Sequence, residues 1–314
     1  MRIVFIGSAE LACDSLEALL NHSTSEVVAA VTQPDRPKGR HLKPGPCPLK
    51  ELAVQENVPV LSPERINNPD TMVQLLELAP ELLVIVAYGQ KIGDGILKLP
   101  PKGCINLHPS LLPKYRGAAP IQWAIASGER VTGVTTMYVS SKMDAGDIIM
   151  QKEVSIDPGD TGGILHDRLA EDGAELVVET VAAIEKGNAP RIPQDDSKAS
   201  LAPKLGREDG RIDWKLSAAA IANRIRAFNP WPGSFCRIPA EGHKDGLLLK
   251  VLTAAVEDGR GKPGEILSVT GAGPLVATAD GALRLVEVQP EGKRQMSGQA
   301  FLCGHHLAAG NVLV

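Results

Sequence analysis

Apolar residues along the chain fall into short runs separated by amphipathic stretches. "RIVFIG" (2–7), "VVAAVTQ" (27–33), "LLVIVAYG" (82–89) and "CINLH" (104–108) are nearly continuous, rich in β-branched or apolar side chains and bounded by turn residues. Helical spacing fills the intervals, as in "ELACDSLEALL" (10–20). Strands that are apolar on both faces and alternate with helices predict a parallel sheet covered on two sides. Two further runs, "VTGVTTMYV" (131–139) and "DIIMQKEVSI" (147–156), follow closely with "DAGD" between them and predict a hairpin-like edge. The spacing then predicts a long helix within 161–187, with Thr161 as N-cap and Gly187 as its stop.

Periodicity ends in "GNAPRIPQDDSKASLAPKLGRE" (187–208), where Pro, Ser, Asp and Lys crowd together. That composition predicts an interdomain linker over 189–206. One helix follows, "SAAAIANRIRAF" (217–228), and then short strands with Gly/Pro turns: "LLLKVLTAAV", "GEILSVTG" and "PLVATADGALRLVEVQP". Regular short strands predict a small β-barrel or sandwich. The expected fold is therefore α/β: a Rossmann-like, mostly parallel sheet domain over 1–188, the linker, and a small β-barrel domain over 207–314.

The 314-residue length supports two domains rather than one. A formal charge of −4 gives no global attraction for nucleic acid, so any polyanion contact requires a local basic cluster. Five cysteines, odd in number and widely spaced, form no C-x-x-C or metal-ligand pattern, which predicts free thiols in a reducing compartment. The apolar run in "MRIVFIGSAE" is too short for a signal peptide, and nothing approaches a membrane span. A cytoplasmic protein without membrane contact is expected. The first βα junction, "FIGSAE", carries one glycine where a dinucleotide fingerprint carries three, which disfavours a nicotinamide cofactor. Gly7 reads as a tight turn after the first strand.

Asn106 and His108 are the polar residues of the strand "CINLH". Side chains alternate along a strand, so both project to one face while Ile105 and Leu107 project to the other. Pro109 ends the strand, which places the pair at the carboxyl tip, where open α/β sheets hold ligands. An amide donor beside an imidazole suits acyl transfer: the amide meets a developing oxyanion and the imidazole carries a proton. A hydrogen-bonded core pair is the alternative, and periodicity does not choose between them. "SKMDAGDII" (141–149) offers Asp144 and Asp147, either a solvated turn or a carboxylate that orients His108.

"CINLHPSLLPKYRGAAPIQWAI" followed by "DAGD" resembles the signature of the folate-dependent formyltransferases. "QPDRPKGR", "RIDW" and "RAFNPWPGSF" resemble the branch of that family that formylates methionine on initiator tRNA. The likeness runs nearly end to end, with His-Pro where the family often has His-Gly before "SLLP". It implies 10-formyltetrahydrofolate as co-substrate, initiator methionyl-tRNA as partner, no metal and no nicotinamide. By the same likeness Asn106 is the oxyanion donor, His108 its electrostatic partner or proton carrier, and Asp144 the group that orients His108. Folate contacts fall to Ser110, Leu111, Leu112 and Pro113, with "VAYGQKI" (86–92) as a second wall. The C-terminal domain resembles an OB-like barrel. Arg36, Lys38, Arg40 and Lys43 in "QPDRPKGRHLKPGPCPLK" form the local basic cluster that tRNA phosphates require, with Arg40 foremost. A monomer is expected. A family member acting on an aminosugar or other small amine is the alternative; it would need neither the basic loop nor the barrel.

Overall fold

The structure is a computed structural model that describes residues 1–38, 43–240 and 243–314. It divides into two compact units: Met1–Pro120, Val131–Ser155 and His166–Ala202 form one, and Ile121–Arg130, Ile156–Leu165 and Pro203–Val314 form the other.

The first unit is built on strands β1 (Arg2–Gly7), β2 (Glu26–Val31), β3 (Val60–Leu61), β4 (Leu82–Val86), β5 (Cys104–His108), β6 (Val131–Tyr138) and β7 (Ile148–Ser155). Their order across the sheet is β7-β6-β5-β4-β1-β2-β3. Five strands, β3-β2-β1-β4-β5, run parallel, and β6 and β7 add an antiparallel edge. The predicted α/β sheet and its hairpin-like edge are both present. Winding reverses between β1 and β4, so the carboxyl ends of the strands open a crevice there. Ile3, Val4, Phe5, Ile6, Leu82, Leu83 and Val84 are fully buried, as the continuous apolar runs require. At Gly7 an added Cβ would lie 2.6 Å from the Val86 carbonyl oxygen and 2.8 Å from Ala12 Cβ, so this glycine lets the first helix approach the sheet.

Two boundaries differ from those read in the sequence. β4 stops at Val86, because Ala87 (φ +47°) and Gly89 (φ +87°) turn the chain out of the sheet. The segment read as a linker is fixed to the first unit as far as Ala202. Ile192 exchanges backbone hydrogen bonds of 2.8 and 3.0 Å with Ile148, and Leu201–Ala202 pairs in parallel with Arg116–Gly117. Composition registers the missing periodicity but not these backbone pairings. The long helix runs over Gly162–Glu185, where Thr161 Oγ1 accepts the Ile164 N–H at 3.2 Å and Gly187 adopts φ +74° beyond the end.

The second unit carries β8 (Ser234–Ala240), β9 (His243–Glu257), β10 (Ile266–Ser268), β11 (Leu275–Ala277), β12 (Ala282–Pro290) and β13 (Met296–Ser297). They form an antiparallel sheet in the order β8-β9-β12-β11-β10, with β13 on β12. The helix Ala218–Ala227, capped by Ser217 Oγ, turns Ala218, Ile221 and Ile225 into a core with Leu249, Leu285 and Phe301. Residues 310–314 bridge the two outer strands. Arg237 of β8 and Val314 exchange backbone hydrogen bonds of 2.6 and 3.1 Å, and the Ile266 N–H of β10 donates to Asn311 at 2.8 Å. This seam turns the open sheet into the small barrel that the strand spacing predicted.

Candidate active site

β5 lies between β4 and β6, with Asn106 opposite Ile85 and Met137, and His108 opposite Thr135. The two polar side chains share a face but not an environment. Asn106 is half-buried, and its amide has no hydrogen-bond partner among the described residues. His108 is buried, its side chain 5% exposed, and its Nε2 lies 2.9 Å from the Tyr115 carbonyl oxygen. A carbonyl only accepts, so Nε2 carries the hydrogen and Nδ1 of the neutral ring holds the free lone pair. Nδ1 faces Asp144 Oδ2 at 3.9 Å. Burial pushes the His108 pKa below its ordinary value, against the smaller raising effects of the Asp144 carboxylate and the Tyr115 hydrogen bond. The resting imidazole is thus a neutral proton acceptor, with an anion in place for the imidazolium it would become.

Asp144 sits in the left-handed region at φ +50°. Its Oδ2 accepts the Gly117 N–H at 2.9 Å, and its carbonyl accepts from Gln194 Nε2 at 2.9 Å. Asp147 turns elsewhere, with Oδ2 3.7 Å from Arg191 Nη1. Of the two acids in "DAGD", Asp144 is therefore the one that meets His108.

The turn after β5 is tied down through Thr135. Its hydroxyl donates to the Ser110 carbonyl at 2.6 Å and accepts from the Leu112 N–H at 3.2 Å and Gln151 Nε2 at 2.9 Å. Ser110 Oγ donates to the Lys114 carbonyl at 2.7 Å, and Leu112 packs with Met137 and Ile148. Ser110 and Leu112 therefore build the turn, while half-buried Leu111 and Pro113 keep surface that a flat ligand can cover. The loop after β4 is fixed by two glutamines, one opening the basic stretch and one inside "VAYGQKI", to which the sequence assigned no individual role: Gln33 Nε2 donates to the Tyr88 carbonyl at 3.0 Å and Gln90 Nε2 to Gln33 Oε1 at 3.1 Å. Arg116, inside the signature stretch, and Gln194, inside the stretch read as a linker, likewise had no individual role.

A model described as formyl transferase matches residues 1–181, and one described as formyl transferase, C-terminal domain, matches residues 204–306. The chain belongs to the formyl transferase family. A protein named methionyl-tRNA formyltransferase from Desulforamulus reducens is 46% identical over 316 residues, covering 100% of this chain and 98% of that one. A protein of the same name from Geobacter metallireducens is 42% identical, covering 99% and 97%. Among solved structures, the sugar 3N-formyl transferase WlaRD, in the presence of dTDP and 5-N-formyl-THF, matches with a TM-score of 0.64 at 19% identity. That match covers 94% of this chain and 99% of WlaRD. HypX from Aquifex aeolicus in complex with tetrahydrofolic acid matches with a TM-score of 0.60 at 21% identity, covering 96% of this chain and 47% of HypX. At these identities the two structures share the fold with this formyltransferase.

The basic segment of this formyltransferase forms a hairpin, Arg36–Lys38 against Lys43–Gly45, with Lys38 opposite Lys43. Arg36 makes an exposed pair with Glu64 at 3.2 Å, and Lys43 is exposed. The Lys38 side chain and Arg40 lie outside the described residues. Among the described residues no cluster of His, Cys, Asp and Glu is arranged to hold a metal, and no helix is long and apolar enough to cross a membrane.

Proposed function

We propose that this formyltransferase moves the formyl group of 10-formyltetrahydrofolate onto the α-amino group of methionine esterified to initiator tRNA. The observation that carries the reading is full-length identity of 46% to a relative named for that reaction. An esterified amino acid has a less basic amine than a free one, so much of it is neutral and nucleophilic near pH 7. Its nitrogen attacks the formyl carbon, a C–N bond forms, and the carbonyl electrons move onto oxygen. The Asn106 amide, which no described residue engages, donates to that oxyanion. His108 Nδ1 takes the amine proton, and the new imidazolium is stabilised by Asp144 at 3.9 Å. Cleavage of the bond to N10 follows, and N10 receives the proton from His108. Leu111 and Pro113 flank the folate on a turn that Ser110 and Leu112 hold in shape.

In the same reading Arg36, Lys38, Arg40 and Lys43 neutralise phosphates of the acceptor arm, and the enzyme works as a monomer in the cytoplasm. Formyl transfer to charged initiator tRNA is the test, with free methionine and amino-sugar nucleotides as competing acceptors. Turnover confined to the charged tRNA is expected. Comparable kcat/KM on a small amine would overturn the reading.

A further inference from the structure

Gln194 makes five side-chain hydrogen bonds, one of them from Nε2 to Met137 Sδ at 3.9 Å, and none to Asn106 or His108. Its Oε1 accepts from Arg116 Nε at 3.1 Å and Nη2 at 2.7 Å. Its Nε2 donates to the carbonyls of Asp144 at 2.9 Å and Gly146 at 2.8 Å. A guanidinium only donates and a carbonyl only accepts, so these neighbours fix which end of the amide faces which way. The carbonyls belong to the turn that carries Asp144 at φ +50°, a conformation that persists in a non-glycine residue only when its surroundings hold it.

The segment that bears Gln194 also reaches the other side of the imidazole. Ser200 Oγ accepts the Tyr115 N–H at 2.9 Å, and the Ser200 carbonyl accepts the Arg116 N–H at 2.8 Å. The Tyr115 carbonyl is the group that holds His108 Nε2. One strap, 191–202, thus fixes the partner at each ring nitrogen: Asp144 through Gln194 and Tyr115 through Ser200. Nearby charges are committed to one another, with Arg116 on Asp196 at 2.8 Å, Lys142 on Asp196 at 3.8 Å and Arg191 on Asp147 at 3.7 Å. Asp144 is the charged group that faces His108.

We propose that Gln194 is a positioning residue for the formyl transfer, clamping the backbone of the "DAGD" turn so that the Asp144 carboxylate stays aimed at His108 Nδ1. The proposal rests on the functional reading above, and the strap is then a working part of the site.

Gln194→Met keeps the length of the side chain and removes all five hydrogen bonds. Gln194→Glu keeps an acceptor for Arg116 and removes the donors to the turn. Displacement of a catalytic group by about 1 Å costs up to roughly 10²-fold, so both variants should lower kcat by about 10- to 100-fold with KM for folate and tRNA nearly unchanged. In Gln194→Met the His108 titration, followed by NMR of its ring resonances in the ligand-free enzyme, should move to lower pH as the favouring carboxylate recedes. The acid limb of the pH–rate profile should move with it. Wild-type kcat in Gln194→Glu, or an unmoved His108 titration in Gln194→Met, overturns the proposal. A purely structural role would lower Tm and leave the titration of the folded molecules in place. Should the wild-type enzyme fail to formylate charged initiator tRNA, the functional reading fails, while the NMR titration still decides whether Gln194 positions Asp144.

Discussion

Asp144→Asn isolates the charge of the carboxylate from its shape. The amide oxygen can still accept the Gly117 N–H that Asp144 Oδ2 accepts at 2.9 Å, so the turn should survive and Tm should change little. The charge opposite His108 is lost. At the observed 3.9 Å, with side chains 5% and 16% exposed, an effective dielectric of ~20 gives an attraction of about 4 kcal/mol between imidazolium and carboxylate. The resting ring is neutral, so that attraction appears only as the proton arrives and acts on the transition state rather than on binding. At 1.36 kcal/mol per tenfold, and with the amide dipole recovering part of it, kcat should fall roughly 10²–10³-fold while both KM values stay close to wild type. The carboxylate raises the His108 pKa against the dominant lowering by burial. Its removal should therefore let the ring stay neutral to lower pH and shift the acid limb of the pH–rate profile downward. The assay is steady-state formyl transfer to charged initiator tRNA across pH, with Asp147→Asn as control. Turnover near wild type in Asp144→Asn, or an equal loss in Asp147→Asn, would refute the assignment.

Asn106→Ala should lower kcat by roughly 10²–10³-fold, the usual cost of one oxyanion donor, with little change in Tm because no described residue hydrogen-bonds that amide. Normal turnover would return Asn106 to core packing. Because burial lowers the His108 pKa, the unfolded chain takes up this proton first. That contribution to stability is complete above the unfolded value of about 6.5 and is lost as pH falls from there toward the folded value. Denaturant melts of His108→Gln should therefore lose less stability on acidification than wild type. Arg40→Leu should raise KM for charged initiator tRNA, flatten its salt dependence by nearly one phosphate contact and leave folate KM unchanged. Unchanged tRNA kinetics would remove Arg40 from recognition.

The alternation that set Asn106 and His108 on one face was legible in the sequence, because strand geometry is local and Pro109 marks the end of the strand. The fully buried parallel strands were legible for the same reason. Asp144 was not readable from spacing: two carboxylates flank Gly146, and only the fold turns one to His108 and the other to Arg191. The positive φ at Ala87, Tyr115 and Asp144 leaves no compositional trace, since none of these residues is glycine. The segment 189–202 misled because its order is borrowed. Pro, Ser and Asp give it no periodicity of its own, and its shape comes from ladders with Arg116–Gly117 and Ile148. The basic hairpin was hidden similarly, with Pro37 opposite Pro44 in a pairing that propensity argues against.

The seam of the barrel has a kinetic consequence. Neighbouring strands such as β11 and β12 pair through short turns and can form early, but the outer edge of β8, where Phe235 already takes the Ile212 N–H at 2.8 Å, is completed when Val314 returns to Arg237. Contacts between residues so distant in sequence close late, because the entropy of the intervening loop must be overcome first. Until then β10 and the Arg237 end of β8 present bare backbone, the state in which partly folded copies pair with one another. Leu313, 2% exposed between exposed Val312 and Val314, is the side chain that latches the tail in place. Seating that leucine shortens the time the chain spends open-edged, and with it the exposure to pairing between copies during refolding.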